Sequence, residues 1–251
     1  MSQGRPESPG WDIMAQDLID PPARPAALRP LEAFSGSLSQ RVYASLKEAI
    51  LGLALRPGAV LRKGEVCEAL GVSRSPVSEA VARLAAEALV EVVPQAGTFV
   101  AKLSMDEVRE GAFLREALEL AAVEEVAVGV TEEQLRELRR DLRLQEALVA
   151  DGDTAGFYAE DARFHETVLG FTGHRRLPGL SRTAWVHVDR ARRLLLPEPG
   201  RMAETLEEHR AVLAALEARD PERARAALRA HLRQVVSRLE GLARERPELF
   251  G

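Results

Sequence analysis

The stretch that begins at Ser104 and runs to the last residue contains helix-forming patterns and no strand candidate. Apolar residues recur there at the three- and four-residue spacing of amphipathic helices, and short breaks rich in Gly, Pro or Asp interrupt them. Six helices are predicted, at about 105–128, 131–151, 154–172, 176–196, 202–219 and 221–246. Helices joined by such short connections pack against their neighbours, so residues 104–251 are predicted to form an antiparallel all-helical bundle.

Residues 36–103 follow a different plan, in which short helices precede strands. Three helices are predicted: one at about 39–52, one at Lys63–Leu70, and a third with Ser75 as its cap and Pro76 in its first position. Two β-prone segments, Val90–Val93 and Thr98–Ala101, follow around a four-residue turn. Three helices followed by a β-hairpin make a winged helix-turn-helix. The predicted fold class is therefore mostly α, with a winged helix-turn-helix before the helical bundle.

The first 35 residues are rich in Pro, Gly and Ser, a composition that cannot bury a core. Residues 1–35 are predicted to form a disordered or flexible arm, with a short helix around Trp11–Leu18 as the alternative. The sequence has no basic-then-apolar signal peptide and no run of about 18 apolar residues. The single cysteine, Cys67, cannot form an internal disulfide. These features predict a cytoplasmic protein with no membrane partner.

Charge is unevenly distributed along the chain. The formal net charge of -5 argues by itself against nucleic acid as a partner. Residues 36–103, however, hold eight Lys or Arg and six Asp or Glu, whereas residues 104–251 hold 23 basic and 28 acidic residues. A DNA-binding module needs local positive charge facing the phosphates, and the mild excess in the first of these segments is compatible with that role.

The segment from Gly71 to Ser78 has the features that a DNA-reading helix needs. In a helix-turn-helix, the first turn of the second helix contacts bases and phosphates in the major groove. Here a tight turn precedes small hydroxyl side chains and Arg74 at a helix N-terminus, where backbone amides also favour phosphate. The alternative is a capped surface helix that happens to carry one arginine.

Residues 69–77 read Ala-Leu-Gly-Val-Ser-Arg-Ser-Pro-Val, and Gly-Thr-Phe-Val follows at 97–100. With these motifs, the stretch from Val42 to Val100 resembles the winged helix of GntR-type transcriptional regulators. The resemblance implies that the chain binds a double-stranded DNA operator. The DNA-contacting residues that it implies are Arg62, Lys63, Ser73, Arg74, Ser75, Ser78, Gln95 and Gly97.

Three positions depart from the family pattern. Ser78, Gly64 and Ala96 stand where arginine is common in the family. An arginine that reads guanine contributes ~1–3 kcal/mol of discrimination between bases. We therefore expect an operator unlike the commonest family site, or weaker binding, with Arg62 and Lys63 compensating in part.

Four residues of the helical bundle have the spacing of a metal site. Asp161 and His165 lie four residues apart in one predicted helix, so both project from the same face. His209 and His231 lie on the last two predicted helices, each ~16 Å from the break between them, so an antiparallel hairpin brings them to the same height. One carboxylate and three imidazoles suit a divalent transition metal such as Zn²⁺, Ni²⁺ or Mn²⁺. The alternative is chance spacing on helices with surface histidines.

The bundle carries a second resemblance. Residues 115–119 read Arg-x-x-Leu-Glu, residues 161–165 read Asp-x-x-Phe-His, and Leu232 follows the last histidine. With these motifs, residues 105–240 resemble the FCD effector domain that often follows this winged helix. The matching positions are the metal ligands in those family members that bind a metal. The resemblance therefore implies that the ligands in this chain are Asp161, His165, His209 and His231, and that Arg115 holds an effector carboxylate. His187 is predicted to line the same cavity, with a core or surface position as the alternatives.

Three functions remain after these observations. The first is a homodimeric repressor that reads an inverted repeat and changes its DNA affinity when a small carboxylate binds beside the metal. The second is a metal-dependent hydrolase built on the Asp/His₃ site, although no general acid or base is evident: Glu166 points elsewhere on its helix. The third is a constitutive DNA-binding protein with a purely structural metal. The sequence favours the first function and predicts that the chain is not an enzyme.

Overall fold

The structure, a computed structural model, describes residues 28–195 and 198–251, except for the side chains of residues 182–184. The chain forms two compact units. One comprises the residues up to Ser104 together with Arg246–Gly251, and the other comprises Met105–Glu245. The alternative helix around Trp11–Leu18 lies outside the described residues.

The first unit contains three helices and a two-stranded antiparallel sheet: α1 (Leu38–Leu51), α2 (Lys63–Leu70), α3 (Arg74–Ala86), β1 (Val90–Val93) and β2 (Gly97–Val100). In the hairpin, Val90 pairs with Val100 and Val93 pairs with Gly97, so three residues make the turn. The predicted winged helix-turn-helix is confirmed, with the second strand beginning one residue earlier than predicted.

The core of the first unit forms between α1 and α3. Their apolar residues at helical spacing are at most 1% exposed, as the periodicity of the sequence predicts: Val42, Leu46 and Ile50 from α1, and Val77, Val81 and Leu84 from α3. Burying a side chain of this size contributes ~1.5–3 kcal/mol. This packing holds α3 in place and leaves the opposite face of α3 exposed.

The start of α3 differs from the predicted one. The helix begins at Arg74 with Ser73 in the N-cap position, and no side chain of the described residues caps it. The Ser75 hydroxyl instead donates to Oε1 of Glu79 at 3.3 Å. The prediction of Ser75 as the cap is wrong because Pro76 also fits the third helical position, where the backbone N–H that proline lacks would have had no partner within the helix.

Part of the predicted flexible arm is folded. Leu31–Ala33 form a short 3-10 helix in which Leu31 is buried. The Ser45 hydroxyl of α1 donates to the carbonyl of Arg29 at 2.8 Å, and the Arg29 side chain pairs with Glu48. The prediction of a flexible arm is therefore wrong for residues 28–35, because one buried leucine and these polar contacts hold the segment against α1.

The segment Arg246–Gly251, which the sequence analysis grouped with the bundle, belongs to the first unit. The backbone N–H of Leu103 donates to the carbonyl of Leu249, and the N–H of Gly251 donates to the carbonyl of Leu103, both at 3.0 Å. These bonds form a parallel bridge between Leu103 and Phe250. Because Leu103 and Leu249 are both buried, apolar contact supports the backbone pairing.

The second unit is an all-helical bundle. Its helices in the described chain are α4 (Met105–Gly129), α5 (Glu132–Asp151), α6 (Thr154–Phe171), α7 (Leu177–Leu195), α8 (Arg201–Glu217) and α9 (Pro221–Glu245). Each begins and ends within two residues of the predicted bounds, which confirms the predicted fold class. None of the described helices combines the length and the apolar character needed to cross a membrane.

Local signals set the ends of these helices. Thr131 and Gln134 form a reciprocal capping box at the start of α5, and Gly152 ends that helix in the left-handed conformation with a φ of 68°. The carboxylate of Asp153 then accepts from the N–H of Gly156 and starts α6 at once. The connection is therefore short, and α5 and α6 pack as antiparallel neighbours.

The core of the bundle is formed by apolar residues of α4, α5, α6, α8 and α9. Its fully buried members include Val123, Leu138, Phe157, Phe164, Val212 and Leu216. A set of polar side chains is buried just as deeply beside this core, including Arg115, Glu119, Gln145, Asp161, His165, His209 and His231. Buried polar groups are costly unless they are paired, so the partners of these side chains decide what the site can do.

Candidate functional site

The exposed start of α3 carries four of the predicted DNA-contacting residues, namely Ser73, Arg74, Ser75 and Ser78. Arg74 has no ion-pair partner among the described residues, so its charge is available to a phosphate or a base. Nearby, Glu79 accepts hydrogen bonds from the hydroxyls of Ser39 and Ser75, which places one negative charge on the same helix. The unpaired backbone amides of the first turn favour an anion at this end of α3.

The remaining predicted DNA-contacting residues lie at α2 and on the wing. Gln95 and Gly97 are exposed at the hairpin, where both adopt positive φ angles of 64° and 133°. Arg62 forms an exposed ion pair with Glu65 at 3.2 Å, and Lys63 is the first residue of α2. The wing turn offers amide and backbone groups without a cation. Among the described residues, Arg74 is the exposed cation of the predicted contact set that has no ion-pair partner, whereas Arg62 is paired and Lys63 is half-buried.

Asp161, His165, His209 and His231 converge in the bundle. Each offers one donor atom, and these four atoms all lie within 4.8 Å of one another. All four side chains are buried, at 0–3% exposure. The i,i+4 pair comes from α6, and the other two histidines come from α8 and α9, so the structure brings together the four residues that the spacing selected.

Each histidine has an acceptor at Nδ1. The Nδ1–H of His165 donates to Oε2 of Glu119 at 2.6 Å, and that of His231 donates to Oε2 of Glu208 at 2.6 Å. The Nδ1–H of His209 donates to Oε1 of Gln145 at 2.9 Å. With the proton held on Nδ1, each ring presents the lone pair of Nε2, which is the arrangement that metal-binding histidines require.

The inward-facing atoms lack the partners that burial demands. Asp161 Oδ1 and His209 Nε2 are buried, lie 3.7 Å apart, and have no hydrogen-bond partner among the described residues. Nε2 of His165 and Nε2 of His231 lie 3.1 Å apart. If both nitrogens carry lone pairs, as their Nδ1 contacts indicate, they repel each other unless a cation lies between them.

These donors fit a divalent transition metal. Bonds from such an ion to imidazole nitrogen or carboxylate oxygen are about 2.0–2.2 Å long, so donors on opposite sides of one ion lie about 4.2 Å apart. The observed limit of 4.8 Å is about 0.6 Å above that spacing. A buried set of three neutral imidazoles and one carboxylate is therefore suited to Zn²⁺, Ni²⁺ or Mn²⁺.

Burial keeps the three histidines neutral. Loss of hydration lowers the pKa of His165, and it lowers the pKa values of His209 and His231 well below the usual 6.5. Burial alone would raise the pKa of Glu119, but the charge of Arg115 and the hydrogen bonds from His165 and Arg115 outweigh it and lower that pKa to about 2. The site thus holds neutral imidazoles next to an ionised carboxylate.

Arg192 of α7 contacts the other oxygen of Asp161. Its Nη2 donates to Oδ2 of Asp161, and its Nη1 lies 3.4 Å from Oδ1 of Asp189. Burial and the charge of Arg115 lower the pKa of Arg192 to about 9, so it stays protonated at neutral pH. A narrow cleft with room for about one water molecule is lined by Asp161, Arg192, Leu195, Arg201, Thr205, His231 and Val235.

The two predicted effector-binding residues differ in their surroundings. Arg115 of α4 is buried, its Nε donates to Glu119 at 2.5 Å, and its Nη2 has no hydrogen-bond partner among the described residues. Its guanidinium carbon also lies 4.5 Å from the ring centroid of Trp185. His187 is partly exposed on α7, and its Nδ1 lies 3.0 Å from Oε2 of Glu107. It is not among the four residues that converge.

Sequence reasoning missed the residues that support the ligands, namely Glu119, Gln145, Arg192, Arg201 and Glu208. The i,i+4 spacing of Arg115 and Glu119 was a usable signal for an ion pair on one helix. The other supports come from helices far apart in sequence, and no local pattern marks them. Their positions follow from how the bundle packs.

Two family models match this chain. The model of bacterial regulatory proteins of the gntR family matches residues 38–100, and the FCD domain model matches residues 110–234. The chain belongs to the GntR family. An uncharacterised HTH-type transcriptional regulator from an unstable DNA locus of Streptomyces ambofaciens is 36% identical over 209 residues, covering 83% of this chain and 88% of the relative.

Two further relatives are similar over most of their length. The HTH-type transcriptional repressor RspR of Escherichia coli K12 is 28% identical over 85% of this chain and 93% of its own. The solved structure of E. coli McbR/YncC superposes with a TM-score of 0.70 at 27% identity, covering 83% of this GntR-family chain and 99% of McbR.

These relationships establish a DNA-binding transcriptional regulator of the GntR family with an FCD domain. They confirm the prediction that the chain is not an enzyme, because the relatives, McbR among them, are HTH-type transcriptional regulators. The hydrolase alternative is set aside. FCD domains often bind a metal ion, and the Asp/His₃ cluster lies within the matched residues.

Proposed function

We propose that this GntR-family protein is a metal-dependent repressor whose affinity for its operator changes when a small carboxylate binds in the helical bundle. Asp161, His165, His209 and His231 hold one divalent transition metal, Zn²⁺, Ni²⁺ or Mn²⁺. The observation that carries the proposal is the pair of buried, unpartnered atoms Asp161 Oδ1 and His209 Nε2, which lie 3.7 Å apart beside the facing Nε2 atoms of the other two histidines.

The carboxylate is the class of effector that the surrounding charges favour. Asp161, Glu119, Glu208 and Asp189 face Arg115, Arg192 and Arg201, and Glu204, which also contacts Arg201, is balanced by Arg238. Four carboxylates against three guanidiniums leave a local charge of -1, which a bound divalent ion changes to +1. Nη2 of Arg115 is buried without a partner among the described residues and can donate to an anion. The cleft beside Asp161 and His231 has room for about one water molecule, so a small carboxylate that enters there would have to displace side chains of its lining.

Regulation requires the effector to change DNA affinity. The expected coupling between the two binding events is ~1–3 kcal/mol, which corresponds to a change of about 5- to 150-fold in operator affinity. A homodimer with two-fold symmetry reads an inverted repeat, and the protein acts in the cytoplasm, where the DNA is. Arg74, Ser73, Ser75 and Ser78 make the contacts from the start of α3, with Gln95 and Gly97 on the wing and Arg62 and Lys63 at α2.

The first test is metal content. Elemental analysis of the purified wild type should give about one equivalent of metal per chain, and the Asp161→Ala, His209→Ala double variant should lose it. His174→Ala is the matched control, since His174 is exposed and pairs only with Glu125 among the described residues. Absence of metal in the wild type, even after incubation with Zn²⁺ or Ni²⁺, would contradict the metal site.

The second test links the metal to DNA. Selection from a random duplex library gives the preferred sequence, and fluorescence anisotropy on that duplex gives the affinity with and without a panel of small carboxylates. A carboxylate that shifts the affinity of the wild type should have no effect on the double variant. If no carboxylate shifts the affinity of the metal-loaded wild type, the bundle holds a structural metal and the effector proposal fails.

A further inference from the structure

Two of the three ligand histidines are held by an arginine–glutamate pair. On α4, Nε of Arg115 donates to Oε1 of Glu119 at 2.5 Å, and Oε2 of the same carboxylate accepts from Nδ1 of His165 at 2.6 Å. Each oxygen of Glu119 therefore has one partner. Both side chains of the ion pair are 3% exposed, so the contact is shielded from water.

The second pair repeats this arrangement on another helix. Nη1 and Nη2 of Arg201 donate to the two oxygens of Glu208 at 2.9 and 3.1 Å, a fork that fixes the plane of the carboxylate. Oε2 of Glu208 accepts from Nδ1 of His231 at 2.6 Å. Arg201 is 5% exposed and Glu208 is 22% exposed, so this pair is more accessible to water than the first.

We infer that Arg115 and Arg201 are positioning residues of the metal site, each orienting a glutamate so that His165 or His231 keeps its proton on Nδ1 and presents Nε2. This inference rests on the proposed metal site and assigns Arg115 a role in addition to the effector contact. Residues that orient metal ligands from behind typically change metal affinity 10- to 100-fold when they are replaced.

The third histidine provides the internal contrast. His209 donates its Nδ1–H to the amide oxygen of Gln145, which has no ion pair behind it and instead donates its own NH₂ to the carbonyl of Glu160 at 3.3 Å. A neutral amide needs no arginine to balance it. Carboxylates at His165 and His231 do need one in a buried place, because an unpaired buried charge is strongly unfavourable. The arginines therefore accompany the glutamates and not the glutamine.

The test measures Zn²⁺ affinity by chelator competition on the full chain. Arg115→Lys keeps the charge but replaces the Nε–H that holds Oε1 of Glu119 with a flexible ammonium group, and we expect its affinity to fall at least 10-fold. Arg201→Ala should fall by a similar or smaller factor, since water can solvate the more exposed Glu208. Arg109→Ala on α4 and Arg210→Ala on α8 are the matched controls, because both arginines form exposed ion pairs. Both should stay within twofold of the wild type.

Nitrogen-15 NMR of the metal-free protein gives a readout that a merely structural role would not change. Glu119→Gln allows an amide NH₂ to face Nδ1 of His165, so part of that ring should carry its proton on Nε2 instead, and Zn²⁺ affinity should fall with it. The melting temperature of each metal-free variant, measured by circular dichroism, shows whether it folds. Arg115→Lys and Glu119→Gln are conservative replacements, whereas Arg115→Ala would leave Glu119 buried without its ion-pair partner and destabilise the bundle.

The outcomes separate this inference from the metal site itself. If the wild type binds Zn²⁺ and both Arg115→Lys and Arg201→Ala bind it as tightly as the controls, the positioning role is refuted and the metal site stands. Loss of the carboxylate response alone, with unchanged Zn²⁺ affinity, would leave Arg115 as an effector residue only. If the wild type binds no metal, the metal site fails and this inference fails with it.

Discussion

Replacing Asp161 by asparagine should destabilise the metal-free protein as well as remove its metal. Asp161 is 0% exposed and Arg192 is 5% exposed, and Nη2 of Arg192 donates to Oδ2 of Asp161. Asparagine has the same shape and its carbonyl can still accept that hydrogen bond. What disappears is the negative charge that balances a buried guanidinium.

The magnitude follows from this geometry. Removing one member of a buried ion pair costs ~3–5 kcal/mol, chiefly because the other charge is left uncompensated. Arg192 keeps a second contact, to Asp189 at 3.4 Å, and the introduced asparagine would keep the hydrogen bond, so the loss should lie at the lower end, about 3 kcal/mol. For a protein of this size, that loss lowers the melting temperature by about 6–12 °C.

The assay is urea and thermal unfolding at neutral pH with a chelator present, followed by circular dichroism. Asp189→Asn is the control, because the Asp161 contact remains. Burial raises the pKa of Asp189 to about 6, so its charge is only weakly favoured there, and its loss should cost less than about 1 kcal/mol. The double variant Asp161→Asn, Arg192→Met removes both charges together and should recover most of the loss. If Asp161→Asn unfolds within about 0.5 kcal/mol of the wild type, the pair does not stabilise the metal-free bundle and the reasoning is refuted.

Three further results are expected. The free energy of unfolding of the metal-free protein should fall as the pH drops below about 6.5. The two histidines His209 and His231 have lowered pKa values in the folded protein, so below that pH only the unfolded chain binds their protons, and each such proton contributes ~1.4 kcal/mol per pH unit. A urea midpoint that does not change from pH 7.5 to 5.5 would contradict this prediction. Zn²⁺ at 100 times its Kd should stabilise the wild type by ~2.7 kcal/mol, and a melting temperature equally raised in His209→Ala would place the metal elsewhere. Arg74→Ala should weaken binding to operator DNA, measured by fluorescence anisotropy at several salt concentrations. If Arg74 contacts a phosphate, the slope of log K against log salt concentration should also become smaller by about one. Unchanged binding would show that Arg74 is not part of the DNA interface.

The fold was predictable because its signals are local. Helical periodicity and the Gly, Pro and Asp breaks predict the bundle helices to within two residues, and the apolar spacing of α1 and α3 predicts the core of the winged helix. The errors are also local in origin. Pro76 is compatible with several positions in a first turn, and Leu31 is a single apolar residue in a segment whose composition otherwise indicates no core.

The candidate site was predictable only in its inner layer. The metal-ligand set follows from an i,i+4 pair and from two histidines equidistant from one helix break, which are distances along the chain. The supporting contacts join α4 to α6, α5 to α8 and α7 to α6, and they depend on rotations of helices about their axes that no spacing encodes. Arg115 illustrates what the sequence could not predict about the site. The family resemblance indicated that Arg115 contacts an effector, and the structure adds its buried ion pair with Glu119.

The contact of Arg192 with Asp161 bears on whether the metal serves an effector or only the fold. With Oδ2 engaged by Arg192, the unpartnered Oδ1 is the oxygen that remains for an ion, so Asp161 contributes a single donor. The protein then supplies four donors in all. An ion that takes four ligands, as structural Zn²⁺ usually does, would be closed to anything else, whereas a six-coordinate ion keeps two positions for a ligand that binds through two oxygens. Coordination number, measured by X-ray absorption on the metal-loaded protein with and without a carboxylate, therefore distinguishes the regulatory site from the structural one.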